Sequence, residues 1–187
     1  MPYNVLTVCT GNICRSPAAE ALLRARLDDS VRISSAGTGA LVGHPVAGQM
    51  ARLLIAAGAD VTGFAARQAT AGLIREADLV LALTTRHRAW VVEEVPAAVR
   101  RTLTLREFGR LVGTIPPGAV DPATLPDDAA RLAALLPLAL AQRPRHAGRR
   151  HADDVVDPYG RSDETFRTSF DEITGALAPV FRAISLH

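Results

Sequence analysis

The sequence has no lysine; all 21 of its basic residues are arginine. Combined with abundant alanine, this reads as genome base composition. The sequence pI of about 8.9 is therefore taken as compositional bias and not as a nucleic-acid footprint. The net charge is only +2 and aromatic residues make up 4% of the chain, which leaves little for base stacking. No apolar run reaches the ~20 residues that span a bilayer. The most apolar stretch, residues 133–141, is short and carries Pro137. At the N-terminus Asn4 and Thr7 break the apolar run and no basic segment precedes it, so no signal peptide is expected. The chain is expected to be cytoplasmic, with neither nucleic acid nor membrane as a partner. Cysteine is scarce as well. Cys9 and Cys14 are the only two and stand close together, which excludes the disulfide framework of a secreted scaffold.

What is present suits one domain. The 187 residues are 48% hydrophobic, enough for a sizeable core. Residues 3–8 read as a β-branched, apolar strand ending at Cys9. A helix is expected over 17–27, with Ser16 as N-cap and Pro17 in its first turn. Residues 31–35 read as a second strand, closed by Gly37 and Gly39. A helix over 45–57 is stopped by Gly58, and residues 78–83 form a buried strand. A helix over 86–95 and a strand over 101–105 follow. The segment 112–153 is rich in Pro, Gly, Ala and Arg and is expected to hold one helix near 126–142, flanked by loops. Phe166, Phe170, Ile173, Leu177, Val180, Phe181 and Ile184 then mark a long amphipathic helix over 163–184. Pro179 is its candidate kink. Strand–helix alternation of this kind means an α/β fold with a mainly parallel sheet. In such sheets ligands bind beyond the carboxyl ends of strands, where Cys9 stands.

The chemistry concentrates in Cys9-Thr10-Gly11-Asn12-Ile13-Cys14-Arg15-Ser16. Five residues between Cys9 and Arg15 allow the loop to curl its N–H groups around one anion, and the following helix adds its positive end. Both effects favour a thiolate at Cys9. Arg15 offers a planar fork for two phosphate oxygens. Gly11 permits close approach of backbone, and Asn12 tolerates a left-handed conformation. Ser16 can hydrogen-bond the sulfur. A curled loop also brings the Cys14 sulfur towards that of Cys9. Cys14 is either the partner of a reversible disulfide or a small buried side chain.

The loop resembles that of the low-molecular-weight protein tyrosine phosphatase family, bacterial type. Ser34-Ser35-Ala36-Gly37-Thr38, Ala66-Arg67-Gln68 and Asp157-Pro158-Tyr159-Gly160 resemble further segments of that family. The resemblance covers roughly residues 3–110 and 154–185, leaving 112–153 as an insertion atypical of the family. It implies a single-domain, three-layer fold over 1–187: a central four-stranded parallel sheet in flavodoxin-like order 2-1-3-4, with helices on both faces. It implies hydrolysis of phosphotyrosine esters through a phosphocysteine at Cys9, with Arg15 binding the phosphoryl group and Asp157 as general acid and base. Thr10, Gly11, Asn12, Ile13, Cys14, Ser16 and Ser35 are the implied phosphate-binding and supporting residues. Ile13, Leu41 and Tyr159 are the implied walls of the substrate slot. No metal and no cofactor is implied, and the five histidines read as ordinary surface residues. The implied partner is a phosphotyrosine protein, and the chain is expected as a monomer or weak homodimer. A second Asp-Pro, Asp121-Pro122, is read as a turn, and Asp153 and Asp154 as surface carboxylates.

Three positions depart from the family pattern. Leu41 stands where an aromatic wall is usual, Phe64 where a supporting histidine is frequent, and Thr84-Thr85 where an acidic residue is more usual. Three alternatives follow. Protein arginine phosphatases share the fold and resemble Cys-Thr-Gly-Asn-Thr-Cys-Arg, with a hydroxyl where this chain has Ile13; an apolar Ile13 suits an aryl ring better. Arsenate reductases need further cysteines to relay a disulfide. A non-catalytic phosphoprotein-binding module needs neither a thiolate nor an acid. Finally, Arg143, Arg145, Arg149 and Arg150 with His146 and His151 form a basic run. It is read as a solvated loop, with recruitment of an acidic phosphoprotein as the functional option.

Overall fold

Strand β1 (Tyr3–Cys9) lies inside a four-stranded parallel sheet, between β2 (Val31–Gly37) and β3 (Leu79–Ala82), with β4 (Thr102–Thr104) beyond β3. The order 2-1-3-4 is the one expected. The structure is a computed structural model that describes residues 2–121, 123–145 and 153–184. Both faces of β1 are covered, because its side chains alternate. Val5 and Cys9 join one buried cluster, and Leu6 and Val8 the other. The first face carries α1 (Arg15–Arg24), α2 (Gly48–Ala56), α5 (Leu105–Val112), α6 (Asp128–Gln142) and α7 (Asp163–Ile184). The second carries α3 (Ala71–Glu76) and α4 (Thr85–Glu94). Among the described residues no helix is long and apolar enough to cross a membrane.

Several boundaries differ from expectation for identifiable reasons. Helix α1 begins at Arg15, with Cys14 in the cap position and no side-chain cap. Ser16 therefore lies inside the first turn and does not cap it; its hydroxyl is turned to Cys9. Helix α2 starts at Gly48, not at Pro45. The preceding residues pack against the Cys9 loop instead: Val46 is buried and the Ala47 N–H donates to Ile13 O at 2.8 Å. Helix α5 is not among the expected elements. Leu105, expected to end a strand, opens it, because the Thr104 hydroxyl accepts the Glu107 N–H at 3.0 Å. Helix α3, six residues long and capped by Thr70, is also absent from the expected set. Helix α7 has its expected bounds and runs on through Pro179.

The segment 112–153 is integrated where it is described. Leu132, Leu135 and Ala139 of α6 enter the main core. The start of α6 exchanges hydrogen bonds with the turn before β2: Asp28 N–H donates to Asp128 Oδ2 at 2.9 Å, and Asp128 N–H to Asp28 Oδ2 at 3.2 Å. Arg143 also differs from the solvated-loop reading, since its guanidinium grips both oxygens of Glu107 at 2.9 and 3.0 Å. Arg145 is exposed. Pro122, His146, Arg149, Arg150 and His151 lie outside the described residues. Helices α5 and α7 cross so closely that a Cβ on Gly109 would sit 2.0 Å from Ala176 O.

Candidate active site

The chain turns sharply where β1 ends. Cys9 is buried at the strand's carboxyl end, and α1 begins six residues later. Asn12 has φ +55°, the left-handed conformation expected of it; no other non-glycine residue among those described has a positive φ. The carbonyls of Cys9, Thr10, Gly11 and Ile13 accept N–H groups of Thr38, Gly39, Leu41 and Ala47 at 2.8–3.1 Å. All peptides here are trans. The N–H groups of Thr10, Gly11, Asn12 and Cys14 therefore point away from that segment, because N–H and C=O oppose each other across a planar trans peptide. This is the geometry of an anion nest. It depends on Gly37 of β2, where a Cβ would lie 2.3 Å from Thr10 O.

Behind the loop, a chain of hydrogen bonds has its directions fixed by groups that can act in only one way. The Arg67 N–H donates to Asn12 Oδ1 at 2.8 Å, which orients the amide. Asn12 Nδ2 then donates to Ser16 Oγ at 2.9 Å and to Ser35 Oγ at 2.8 Å. Ser35 donates its proton to Glu20 Oε2 at 2.5 Å, and Glu20 is buried and paired with Arg24. Ser16 Oγ lies 2.9 Å from Cys9 Sγ and already receives the Asn12 proton. Its second lone pair and its own proton both remain, and against a Cys9 thiolate, which can only accept, Ser16 is the donor.

Arg15 is buried, while Asp157 is half exposed. Arg15 Nη2 meets Asp157 Oδ2 at 2.6 Å, and Nη1 lies 3.4 Å from Val155 O. A cavity of about 180 Å³ opens between them. Cys9, Thr10, Gly11, Cys14, Arg15 and Asp157 line it, and Ile13, Leu41 and Tyr159 contribute apolar surface. The structure thus gathers nine of the expected residues around one cavity. Asn12, Ser16 and Ser35 stand behind it as a second layer. Burial pushes the Cys14 thiol up to about 12, with the neighbouring Cys9 adding to the shift.

Four participants are not apparent from the sequence. His87 is not a surface residue: it is buried, with Nε2 2.8 Å from Thr10 Oγ1 and Nδ1 2.9 Å from Thr84 Oγ1. Burial, with Arg15 next in effect, lowers it to about 4, so the ring is neutral at pH 7. The Thr84-x-x-His87 spacing at the start of α4 is the available signal. Glu20, four residues after Ser16 on one helix face, and Arg67 complete the relay. Asp153, expected at the surface, is buried against Arg110, with both oxygens 2.9 Å from Nη2. Burial raises its carboxyl above the ordinary value, and Arg110 opposes the rise. Asp154 is exposed as expected, yet its Oδ1 accepts the Thr85 N–H at 2.6 Å. Among the described residues no group of His, Cys, Asp and Glu is arranged to hold a metal ion.

Comparison with known proteins returns the same chemistry. The family model described as "Low molecular weight phosphotyrosine protein phosphatase" matches residues 4–130. The low molecular weight protein-tyrosine-phosphatase Etp of Escherichia coli (strain K12) is 42% identical over 105 residues, covering 56% of this chain and 70% of Etp. The tyrosine phosphatase Wzb from Escherichia coli K30, solved with sulphate, superposes with a TM-score of 0.69 at 28% identity, covering 99% of this chain and 100% of Wzb. The YwlE arginine phosphatase from Geobacillus stearothermophilus gives 0.68 at 28% identity, covering 96% and 91%.

Proposed function

The chain belongs to the low molecular weight phosphotyrosine protein phosphatase family, and we propose that it hydrolyses phosphotyrosine on protein substrates in the cytoplasm through a phosphocysteine at Cys9. The observation that carries this reading is the convergence of Cys9, Arg15 and Asp157 on one cavity of about 180 Å³. A phosphoryl group seated in the nest takes the Arg15 fork from Asp157. The Cys9 sulfur then forms a bond to phosphorus while the ester P–O bond breaks. The electron pair stays on the leaving oxygen, which takes a proton from Asp157. In the second half, water forms a new P–O bond, its proton passes to Asp157, and the S–P electron pair returns to Cys9. The inward N–H groups and Arg15 stabilise charge on the non-bridging oxygens throughout. Ser16 steadies the sulfur both as nucleophile and as leaving group.

Ile13 and Leu41 give the slot aliphatic walls and Tyr159 an aromatic one, which suits an aryl ring. Hydrolysis of phosphoarginine is the second reading, favoured by the likeness to the YwlE arginine phosphatase. Turnover of phosphotyrosine and phosphoarginine peptides by the purified protein separates the two. The expected result is a clear preference for phosphotyrosine, and a preference for phosphoarginine would reverse the assignment. Cys9→Ser is expected to abolish both; retained turnover would remove the phosphocysteine mechanism.

A further inference from the structure

The segment leading into Asp157 is gripped at successive backbone positions. Arg106 Nη1, from α5, donates to Asp154 O at 2.8 Å. The Val155 N–H donates to Leu83 O at 2.9 Å, at the end of β3. The Val156 N–H donates to Glu172 Oε2, on α7, at 2.8 Å. The other Glu172 oxygen accepts Arg106 Nη1 at 2.8 Å. One carboxylate thus ties the guanidinium that holds residue 154 to the amide that precedes Asp157. Val155 is buried in the main core, but the Val156 side chain is exposed, so at residue 156 the hydrogen bond to Glu172 is what fixes the backbone. Glu172 is itself mostly covered, with 24% of its side chain accessible. It sits on α7, which α5 contacts at backbone distance through Gly109. The anchor is therefore stiff, and a stiff anchor is what a proton donor aligned to a fraction of an ångström requires.

We propose that Glu172 is a positioning residue for Asp157, acting with Arg106 through the Val156 N–H. This rests on Asp157 as the general acid. Without the grip, the Asp157 carboxyl no longer meets the leaving oxygen as the P–O bond breaks. That oxygen then departs carrying its negative charge, so the rate comes to depend on how stable the departing anion is. Good leaving groups are little affected, and poor ones suffer.

The test is kcat/KM, which reports phosphorylation of Cys9, for 4-nitrophenyl phosphate, phenyl phosphate and an alkyl phosphate. The proteins are wild type, Glu172→Ala, Glu172→Gln, Asp157→Ala and the Glu172→Ala/Asp157→Ala double variant. Glu172→Ala is expected to lose about tenfold on phenyl phosphate, a part of the 10²–10⁴ that general acid catalysis supplies, and far less on 4-nitrophenyl phosphate. Glu172→Gln keeps an acceptor for the Val156 N–H and should recover much of the loss; it also serves if the alanine variant does not fold. The double variant should match Asp157→Ala alone. An equal loss on all three substrates would overturn the proposal, leaving Glu172 as general structural support. If Asp157→Ala itself shows no dependence on the leaving group, Asp157 is not the acid, and the role of Glu172 falls with it.

Discussion

The Ser16 hydroxyl lies 2.9 Å from the Cys9 sulfur and accepts the Asn12 amide proton on its oxygen, so against a thiolate, which can only accept, it is the donor. A hydrogen bond to a charged group contributes about 1.5–3 kcal/mol. Ser16→Ala is therefore expected to lower kcat/KM by roughly 10- to 100-fold. The loss should be the same for 4-nitrophenyl and phenyl phosphate, since the sulfur and not the leaving oxygen has lost its donor. An unchanged kcat/KM would show that the hydroxyl does not act on the nucleophile.

His87 makes stability depend on pH in a defined window. Its folded value is about 4, against 6.5 for a free imidazole. Between those values the unfolded chain binds a proton that the folded chain does not, so stability falls as pH drops from about 6.5 to about 4. Below the folded value the loss is complete. The depression corresponds to about 3 kcal/mol. Chemical denaturation at pH 7 and pH 4 should show a larger drop in wild type than in His87→Gln by about that amount. Equal drops would mean that the ring is not held neutral.

Two glycines, one in each of two packed helices, should respond with opposite signs. Alanine at an exposed helical glycine gains up to about 1 kcal/mol of helix propensity. A methyl group added at Gly175 in α7 would have nothing within 4 Å, so Gly175→Ala should raise the urea midpoint. At Gly109 the methyl would meet Ala176 O at 2.0 Å. Overpacking of that kind costs about 1–3 kcal/mol, and here the obstacle is backbone that cannot rotate aside. Gly109→Ala should thus lower the midpoint, and a rise would mean that the α5–α7 crossing is looser than the contact implies.

Arg143 belongs by sequence to a basic run suited to recruiting acidic substrates, but its guanidinium is committed to Glu107. Arg143→Glu would set two carboxylates against each other across a half-buried contact and should cost roughly 2 kcal/mol of stability. Activity of the folded fraction on a phosphoprotein and on a small aryl phosphate should change by the same factor. A rise in KM confined to the phosphoprotein would restore the recruitment reading.

Local chemistry makes much of the site readable. The Cys9–Arg15 loop, the left-handed Asn12 and the long helix α7 follow from nearest-neighbour rules: loop length, residue permissiveness, and a 3.6-residue apolar period. Helix α5 is announced by Thr104-x-x-Glu107, but its apolar residues continue directly from β4 and mask the change of period. Helix α3 spans fewer than two turns, too short for periodicity to register.

The anion-binding loop from Cys9 to Arg15 and the parallel α/β sheet are legible in the chain itself, because each depends on adjacent residues or on a short repeating pattern; Asp157, the proposed acid, is singled out only by the resemblance of its Asp-Pro-Tyr-Gly segment to the family. How those groups are held is a matter of three-dimensional packing. Glu20 orients Ser35, Arg67 orients Asn12, His87 reaches Thr10, Asp153 goes inside on Arg110, and Glu172 grips the segment before Asp157. Each of these contacts joins segments distant in sequence or a side chain whose burial depends on what packs over it. A polar residue carries no mark of its partner until the fold removes water from around it and leaves one group within reach.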